Sequence, residues 1–241
     1  MKIIVCVKQV PDTTEIKIDP VTNTLIRAGV PSIVNPYDAY ALETALRLKE
    51  RYGAEVLVIS MGPEQAKEAL KECLAVGADR AWLISDRAFG GSDTLATSFV
   101  LSRAVAWLSK ELGDVGLILC GKQAIDGDTA QVGPEMAEHL DLPQITYASD
   151  AELSEDGVLV KRENDDGYDM IKTKLPAVVT VTKISGETRL PSIKGKMRAS
   201  KAEIPVLTAQ TLEIDVEKCG LKGSPTKVKK TFTPVRTKTG I

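Results

Sequence analysis

The sequence predicts an α/β fold, in which helices cover both faces of a doubly wound, mostly parallel sheet. Two observations support this. Short apolar, β-branched runs alternate with amphipathic helical segments through four cycles before Pro143, and glycine-bearing loops follow most of the runs. Such alternation is typical of parallel sheets with right-handed crossovers. After Pro143 the chain changes to short strands separated by turns, which predicts an antiparallel extension of the same sheet.

The first cycle begins with a buried strand at residues 3–7. A loop is predicted at residues 8–12, and weak alternation within residues 16–27 predicts a short edge hairpin. Asn35 is a favourable N-cap and Pro36 a favourable first residue for the helix that follows.

Three further strands are predicted, each followed by a loop and a helix. The strands lie at residues 55–60, 80–85 and 115–120, and the helices at residues 64–76, 93–112 and 129–140. Ligands of doubly wound sheets bind at the carboxyl ends of the strands, where the strand order reverses. We therefore expect the loops after the first, second and fourth strands, together with Asn35, to surround one nucleotide.

The loop after the fourth strand, residues 121–133, has the features of an anion site. It joins a buried strand to a helix start, where free backbone N–H groups and the helix dipole attract negative charge. Gly127 allows close approach of a ligand, and Asp128 or Thr129 can cap the helix. The loop is neither a P-loop nor a GxGxxG motif, so a phosphate site and an ordinary strand-to-helix turn both remain open.

Composition argues against several classes of function. The chain has 241 residues, 43% of them hydrophobic, and a net charge of −2, which does not favour nucleic acid as a partner. No apolar run is long enough to span a bilayer, and Met1 leads directly into a strand, so we expect a cytoplasmic protein. The single histidine disfavours His-ligated metal sites, and the four cysteines, without a CxxC pair, are expected to be buried free thiols.

The second half of the chain is predicted to contain four short strands and little regular core from Gly186 onward. The strands lie at residues 145–148, 158–163, 168–174 and 177–182, with turns at residues 155–157 and 165–167. This divides the chain into a nucleotide-binding α/β domain, residues 1–185, and residues 186–241, which hold a partner-docking loop and an extended C-terminal arm. The end of the arm is either disordered or becomes ordered on a partner, with Phe232 and Val235 as anchors.

Five stretches resemble the beta subunit of electron transfer flavoprotein. They are residues 5–12, 35–38, 60–63, 121–133 and 160–181. The likeness follows the chain in order over nearly its whole length and is nearest to the anaerobic bacterial branch, which includes electron-bifurcating members. It implies an adenine nucleotide-binding sheet, and a heterodimer with a larger alpha subunit that carries an electron-transferring FAD.

The resemblance further implies that this chain binds a second nucleotide, which is FAD in the branch that bifurcates electrons from NADH and AMP in the other branch. FAD is the favoured nucleotide and AMP the alternative, and contact between NADH and the heterodimer stays open. The adenine would lie against the backbone at Cys6 and Met61, and residues 126–137 would hold the phosphate. The cofactor-binding residues implied are Cys6, Val7, Lys8, Asn35, Pro36, Tyr37, Asp38, Met61, Gly62, Gln123, Asp126, Gly127, Asp128, Thr129, Ala130, Gln131, Val132 and Gly133.

The resemblance also implies a loop that docks an acyl-CoA dehydrogenase or a related flavin dehydrogenase. An exposed leucine, Leu190, would enter the dehydrogenase, and basic residues around it would steer the encounter. The docking residues implied are Leu190, Pro191, Ile193, Lys194, Lys196 and Arg198. The alternative is that Leu190 packs into the core of its own chain.

The main functional hypothesis is an electron-transfer subunit. In such proteins the flavin carries the chemistry, so we expect no catalytic residue and no metal ligand. A structural AMP-binding subunit is the alternative. A remote alternative is an ATP-hydrolysing enzyme of the PP-loop type, because residues 89–94 faintly resemble its SGGxDS motif. That motif should follow the first strand, whereas here it follows the third.

Overall fold

The structure is a computed structural model that describes residues 1–12 and 31–229. The strands are β1 (Lys2–Cys6), β2 (Gln9–Pro11), β3 (Ser32–Val34), β4 (Glu55–Met61), β5 (Arg80–Ile84), β6 (Val115–Gly121), β7 (Gln144–Ser154), β8 (Gly157–Asn164), β9 (Gly167–Thr173), β10 (Ala177–Val181) and β11 (Val206–Leu207). The helices are α1 (Pro36–Tyr52), α2 (Lys67–Val76), α3 (Thr94–Leu112), α4 (Val132–Leu140), α5 (Ile193–Ser200) and α6 (Gly220–Gly223).

Within the described ranges, nine strands form one sheet in the order β11-β5-β4-β1-β6-β10-β7-β8-β9. Every pair from β11 to β7 is parallel, and β7, β8 and β9 pair antiparallel. The predicted α/β class and antiparallel extension are therefore confirmed. Because β1 pairs with β4 on one side and with β6 on the other, the strand order reverses between β1 and β6. The loops after these two strands meet at that point.

Two apolar layers hold the helices on opposite faces of the sheet. On one face, Ile3 and Val5 of β1 lie in a core with Leu46 of α1 and Leu70 of α2. On the other face, Ile4 belongs to a core that includes residues of α3 and α4. The alternation along β1 sends successive side chains to opposite faces. Each fully buried aliphatic side chain of this size contributes about 1.5–3 kcal/mol to folding.

The last predicted strand is placed differently from the prediction. β10 does not extend the antiparallel part but lies between β6 and β7, parallel to both. All five of its residues are buried, which is typical of a central strand covered on both faces. The predicted turns at residues 155–157 and 165–167 are confirmed, since β7–β8 and β8–β9 are joined there.

The segment predicted as a loop at residues 8–12 contains β2, which pairs antiparallel with β3. The predicted edge hairpin within residues 16–27 lies outside the described residues, as do the predicted anchors Phe232 and Val235.

The expectation of little regular core after Gly186 is wrong. Helix α5 packs against α2, and β11 adds a strand beside β5. Leu207, Leu212 and Cys219 are buried in the second core. These short elements contain few apolar residues of their own. They pack against a core that is formed mainly by the first half of the chain. Local hydrophobic periodicity therefore gives little sign of them.

The four cysteines are free and buried, as predicted. Within the described ranges, the helices are all too short or too polar to cross a lipid bilayer.

Candidate functional site

The point where the strand order reverses is held together by the carboxylate of Asp38, in the first turn of α1. Its two oxygens accept hydrogen bonds from the backbone N–H of Lys8 (2.7 Å) and of Gly121 (3.1 Å). The bonds join the carboxyl ends of β1 and β6 through one buried side chain. A Cβ atom at Gly121 would overlap this carboxylate, so glycine is needed at the end of β6.

Burial raises the pKa of the Asp38 carboxyl to about 7, because an ionised carboxylate loses its hydration there. The N–H groups of Lys8 and Gly121 and the Asn35 side chain favour the ionised form and limit the shift. The charge of Asp38 therefore changes near neutral pH.

Asn35 is the N-cap residue of α1, as predicted, but its side chain makes no capping hydrogen bond. The backbone carbonyl of Asn35 already accepts from the N–H of Asp38 (2.9 Å). The side chain instead crosses to the loop after β6, where it donates to the carbonyl of Gln123 (2.8 Å) and accepts from the N–H of Ile125 (3.1 Å). Pro36 is the first residue of the helix, as predicted.

The loop after β6 is fixed by further side chains. The Lys8 ammonium contacts both carboxylate oxygens of Asp126 at 2.7 and 2.8 Å, and the Gln123 amide donates to Asp128 (2.7 Å). The N–H groups of Gly127 and Asp128 both donate to the carbonyl of Ala124. These contacts give the loop a defined shape and commit two of the amides that were expected to face a ligand.

Helix α4 begins at Val132, three residues later than predicted. Its N-cap residue is Gln131, whose side chain makes no capping bond, so the predicted cap by Asp128 or Thr129 is wrong. The reason is local backbone geometry, since Asp128 and Ala130 have left-handed φ angles of 51° and 54° that no helix can include. Among the described residues, no acceptor is bonded to the backbone N–H groups of residues 129–133.

The amides of residues 129–133 therefore form an open row at the start of α4. Five successive backbone N–H groups without a bonded acceptor in the described part of the chain, at the positive end of a helix, suit a phosphate group. This row lies at the helix end of the loop for which the sequence predicts an anion site.

The structure brings the other predicted nucleotide-binding residues to the same edge of the sheet. Cys6 ends β1 and is followed by Val7 and Lys8, and Met61 ends the neighbouring strand β4 and is followed by Gly62. The hydroxyl of Ser60, just before them, is buried without a hydrogen-bond partner among the described residues. Cys6 lies in register with Cys120 of β6. A hydrogen bond with Cys120 and burial raise the pKa of the Cys6 thiol, which therefore stays neutral.

The segment predicted to dock a dehydrogenase is on the surface. The side chain of Leu190 is 89% exposed and that of Ile193 is 82% exposed, so the alternative that Leu190 packs into its own core is wrong. Ser192 caps α5 by accepting from the N–H of Gly195 (3.0 Å). Gly195 lies so close to the carbonyl of Ala75 in α2 that a Cβ atom would overlap it.

Arg189, which sequence reasoning missed, anchors this segment to α1. Its guanidinium donates to the carboxylates of Glu43 (2.8 and 3.2 Å) and Glu50, and its backbone N–H also donates to Glu43 (3.3 Å). Burial opposes ionisation of Glu43, but the bonds from Arg189 and Arg47 outweigh it and hold the pKa below its ordinary value. Arg47, one turn further along α1, also pairs with Glu43, at 3.0 Å. The signal in the sequence was Glu43, because an acidic residue that is buried within a helix needs a basic partner from elsewhere in the chain.

Arg198, one of the predicted docking residues, contacts the main chain of its own protein. Its guanidinium donates to the carbonyls of Leu74 (2.8 Å) and Ala78 (3.4 Å) at the end of α2. It therefore holds α5 in place, while Leu190 and Ile193 stay exposed beside it.

The loop that resembled a PP-loop motif is covered by the chain itself. The carboxylate of Asp93 caps α3 and accepts from the N–H and hydroxyl of Thr226. The hydroxyl of Ser92 accepts from the N–H of Gly220, and Gly91 lies against Leu221. Residues 219–226 thus occupy the space where a nucleotide would have to bind, which removes the geometric basis of that alternative.

Comparison with known proteins agrees with the resemblance seen in the motifs. Residues 22–212 match the model of the electron transfer flavoprotein domain. The chain is 52% identical over 244 residues to the electron transfer flavoprotein subunit beta of Megasphaera elsdenii, covering 100% of this chain and 90% of that protein. The chain belongs to the electron transfer flavoprotein family, as a beta subunit.

Two other relatives carry different names. The caffeyl-CoA reductase-Etf complex subunit CarD of Acetobacterium woodii is 49% identical over 235 residues, with 97% of this chain and 88% of the relative covered. Protein FixA of Sinorhizobium fredii is 48% identical over 238 residues, with 97% and 84% covered. Membership of the electron transfer flavoprotein family implies association with a flavin or adenine nucleotide and an alpha subunit as partner.

The hydrogen-bonding groups of this site suit an adenine nucleotide. A row of open amides suits a phosphate, and the backbone at the ends of β1 and β4 offers donors and acceptors to a base. The buried hydroxyl of Ser60 is a further donor at this edge.

We predict that Asp38 makes the stability of this electron transfer flavoprotein subunit depend on pH. The folded-state pKa is about 7 and the ordinary value is 3.8, so between these values the folded chain binds a proton that the unfolded chain has released. The free energy of unfolding should therefore fall as pH rises from 4 to 7, by roughly 4 kcal/mol from this group. Denaturant unfolding from pH 5 to pH 8 measures this.

The matched variant is Asp38→Asn, which cannot ionise. As pH rises over this range, the variant should become more stable relative to the natural chain. Curves that stay parallel from pH 5 to pH 8 would show that the Asp38 carboxyl does not titrate there.

We predict that Arg189→Gln frees residues 186–192 from α1. The buried Glu43 carboxylate would lose its main partner, at a cost of roughly 2 kcal/mol in the free energy of unfolding. Amide hydrogen exchange should rise in residues 186–192 and not in the centre of α1. The control is Arg51→Gln, which breaks an exposed pair between Arg51 of α1 and Glu152 of β7 and should change little. Unchanged exchange in residues 186–192 would contradict the anchoring role.

Proposed function

We propose that this chain binds an adenine nucleotide, with FAD favoured over AMP, between the carboxyl ends of β1 and β6. The observation that carries the proposal is the open row of amides at residues 129–133, at the start of α4. The Asp38 and Asn35 side chains fix the loop that leads to this row. A prearranged site avoids the entropy cost of ordering the loop when the nucleotide arrives.

In this proposal each predicted residue group has a distinct role. The amides of residues 129–133, with the side chains of Thr129 and Gln131, bind the phosphate or diphosphate. The backbone at Cys6 and Met61 contacts the adenine. Lys8 and Gln123 act through Asp126 and Asp128, whose carboxylates they hold in the loop.

The chain then serves as the electron-transfer partner of an alpha subunit. The bound flavin supplies the electron chemistry, and the side chains of this chain bind it, orient it and limit its exposure to water. Electrons would pass from NADH or a dehydrogenase to an acceptor, by bifurcation if this chain holds FAD. With AMP in the same crevice, the chain would be a structural subunit of a non-bifurcating protein.

Leu190 and Ile193 are proposed to dock an acyl-CoA dehydrogenase or a related flavin dehydrogenase. They are the two most exposed large apolar side chains of their segment, and Lys194 and Lys196 adjoin them. Burial of such anchors supplies affinity, and the lysines attract an acidic partner surface. One relative is named as a subunit of a caffeyl-CoA reductase-Etf complex, which supports a partner that acts on CoA thioesters. Residues 186–241 would form the partner-facing part of the chain.

The nucleotide proposal predicts that Asn35→Ala weakens binding of FAD and AMP alike, because both share the loop that Asn35 holds. Loss of two hydrogen bonds should raise the dissociation constants roughly tenfold or more. The measurement is the nucleotide retained per heterodimer after purification with the alpha subunit, followed by titration with FAD and AMP.

The control for that experiment is Asn164→Ala, which removes an amide bonded to Asp169 in a β-turn region on the surface. It should leave both dissociation constants unchanged. If Asn35→Ala binds FAD and AMP as tightly as the natural chain, the crevice between β1 and β6 is not the nucleotide site.

The docking proposal predicts that Leu190→Ala raises the KM for an acyl-CoA dehydrogenase that has been reduced by its substrate. The nucleotide content of the heterodimer should not change. Loss of a buried leucine from a contact typically costs about 1–2 kcal/mol, so KM should rise roughly tenfold. Leu221→Ala is the control, since Leu221 is also exposed but lies in α6. Equal electron transfer by the Leu190 and Leu221 variants would remove the docking assignment.

A further inference from the structure

Lys122 lies between two tyrosine rings at the carboxyl edge of the sheet. Its ammonium is 5.9 Å from the ring centre of Tyr37 and 5.1 Å from that of Tyr147. The guanidinium of Arg162 lies 5.8 Å from the same Tyr147 ring. These distances are within the range of cation–π attraction. We call Tyr37, Lys122, Tyr147 and Arg162 the cation–aromatic surface.

The backbone that positions this surface is unusual. Tyr147 has a left-handed φ of 58°, which is costly for a bulky residue, and it lies where the register between β7 and β10 shifts. The hydroxyl of Thr180 accepts from its N–H (3.2 Å), and the N–H of Lys122 donates to the carbonyl of Val181 (2.7 Å). The fold thus holds the Tyr147 ring beside Lys122 in a conformation that the chain would otherwise avoid.

The surface is continuous with the proposed nucleotide crevice. Tyr37 immediately precedes Asp38, and Lys122 immediately follows Gly121, the two residues whose contact joins α1 to the end of β6. From there the surface continues past β10 to Tyr147 in β7. All four of its side chains are partly exposed.

The charges of this surface are poorly neutralised. Within the described ranges, Lys122 has no carboxylate partner, and the nearest carboxylate oxygen to Arg162 belongs to Asp169 at 3.8 Å. A phosphate would need the cations but not the rings, and a neutral base would need the rings but not the cations. A flat heteroaromatic ring that gains negative charge on reduction needs both, and a flavin ring has these properties.

We propose that the cation–aromatic surface receives a flavin ring, with Lys122 facing the charge that the ring gains on reduction. This rests on the proposed function. The ring has two sources, either FAD in this chain's own crevice or the FAD of the alpha subunit. In both cases Lys122 makes reduction of the ring more favourable, because two electrons and one proton leave the ring with one negative charge.

The test uses the heterodimer purified with its alpha subunit and the variant Lys122→Gln, which removes the charge and leaves a polar side chain one atom shorter. Lys218→Gln is the control, because Lys218 lies over the Phe99 ring at a similar distance of 5.7 Å but in the C-terminal segment. FAD and AMP are titrated by calorimetry, and the reduction potential of each bound flavin is measured by spectroelectrochemistry.

If the ring belongs to this chain's own FAD, Lys122→Gln should raise the dissociation constant of FAD roughly fivefold to tenfold and leave that of AMP unchanged. If it belongs to the alpha subunit, FAD content should stay the same and the reduction potential of one flavin should fall. The expected fall is about 20–30 mV, which for two electrons corresponds to a fivefold to tenfold change in the equilibrium constant. The control should change neither quantity.

Two results would overturn the inference. One is a Lys122→Gln heterodimer whose FAD affinity and flavin potentials equal those of the natural protein. The other is an equal loss of FAD and AMP affinity, which would mean that Lys122 only supports the loop. If Asn35→Ala weakens both nucleotides while Lys122→Gln has no effect, the proposed function stands and this inference alone fails.

Discussion

The Asp38 carboxylate is the contact on which the rest of this site depends. The neighbouring parallel strands β1 and β6 end side by side, and the Asp38 carboxylate accepts from one backbone N–H at each of these ends. A buried carboxylate is costly, and the pKa of about 7 shows that its ionised form is only partly compensated by these bonds. The fold accepts this cost at the place where the crevice must keep its shape.

Helix α1 connects the two surfaces that the proposed function needs. Its first turn supplies Tyr37 and Asp38 to the crevice, and Glu43 and Glu50 further along bind Arg189, next to the segment that is proposed to dock a partner. A helix is a rigid spacer, so the distance between the nucleotide and a docked partner is fixed by the length of α1 rather than by a loop. Electron transfer between two bound cofactors benefits from such a fixed arrangement.

Local patterns in the sequence were enough for the elements whose causes are local. Apolar runs located β1, β4, β5 and β6, and Pro36 marked the start of α1. Errors arose where a distant partner decides the outcome. The side chain of Asn35 was predicted to cap its own helix, but it binds a loop about ninety residues away. The position of β10 follows from pairing with β6 and β7, and the anchor at Arg189 depends on acidic residues in another element.

The most direct test of the account is a crystal structure of the heterodimer with its alpha subunit, determined with its natural nucleotide. The account predicts electron density for a phosphate or diphosphate within hydrogen-bonding distance of the amides of residues 129–133, with the loop held by Asn35 as described here. Density that places the nucleotide elsewhere, with these amides bonded to groups of the protein itself, would contradict it.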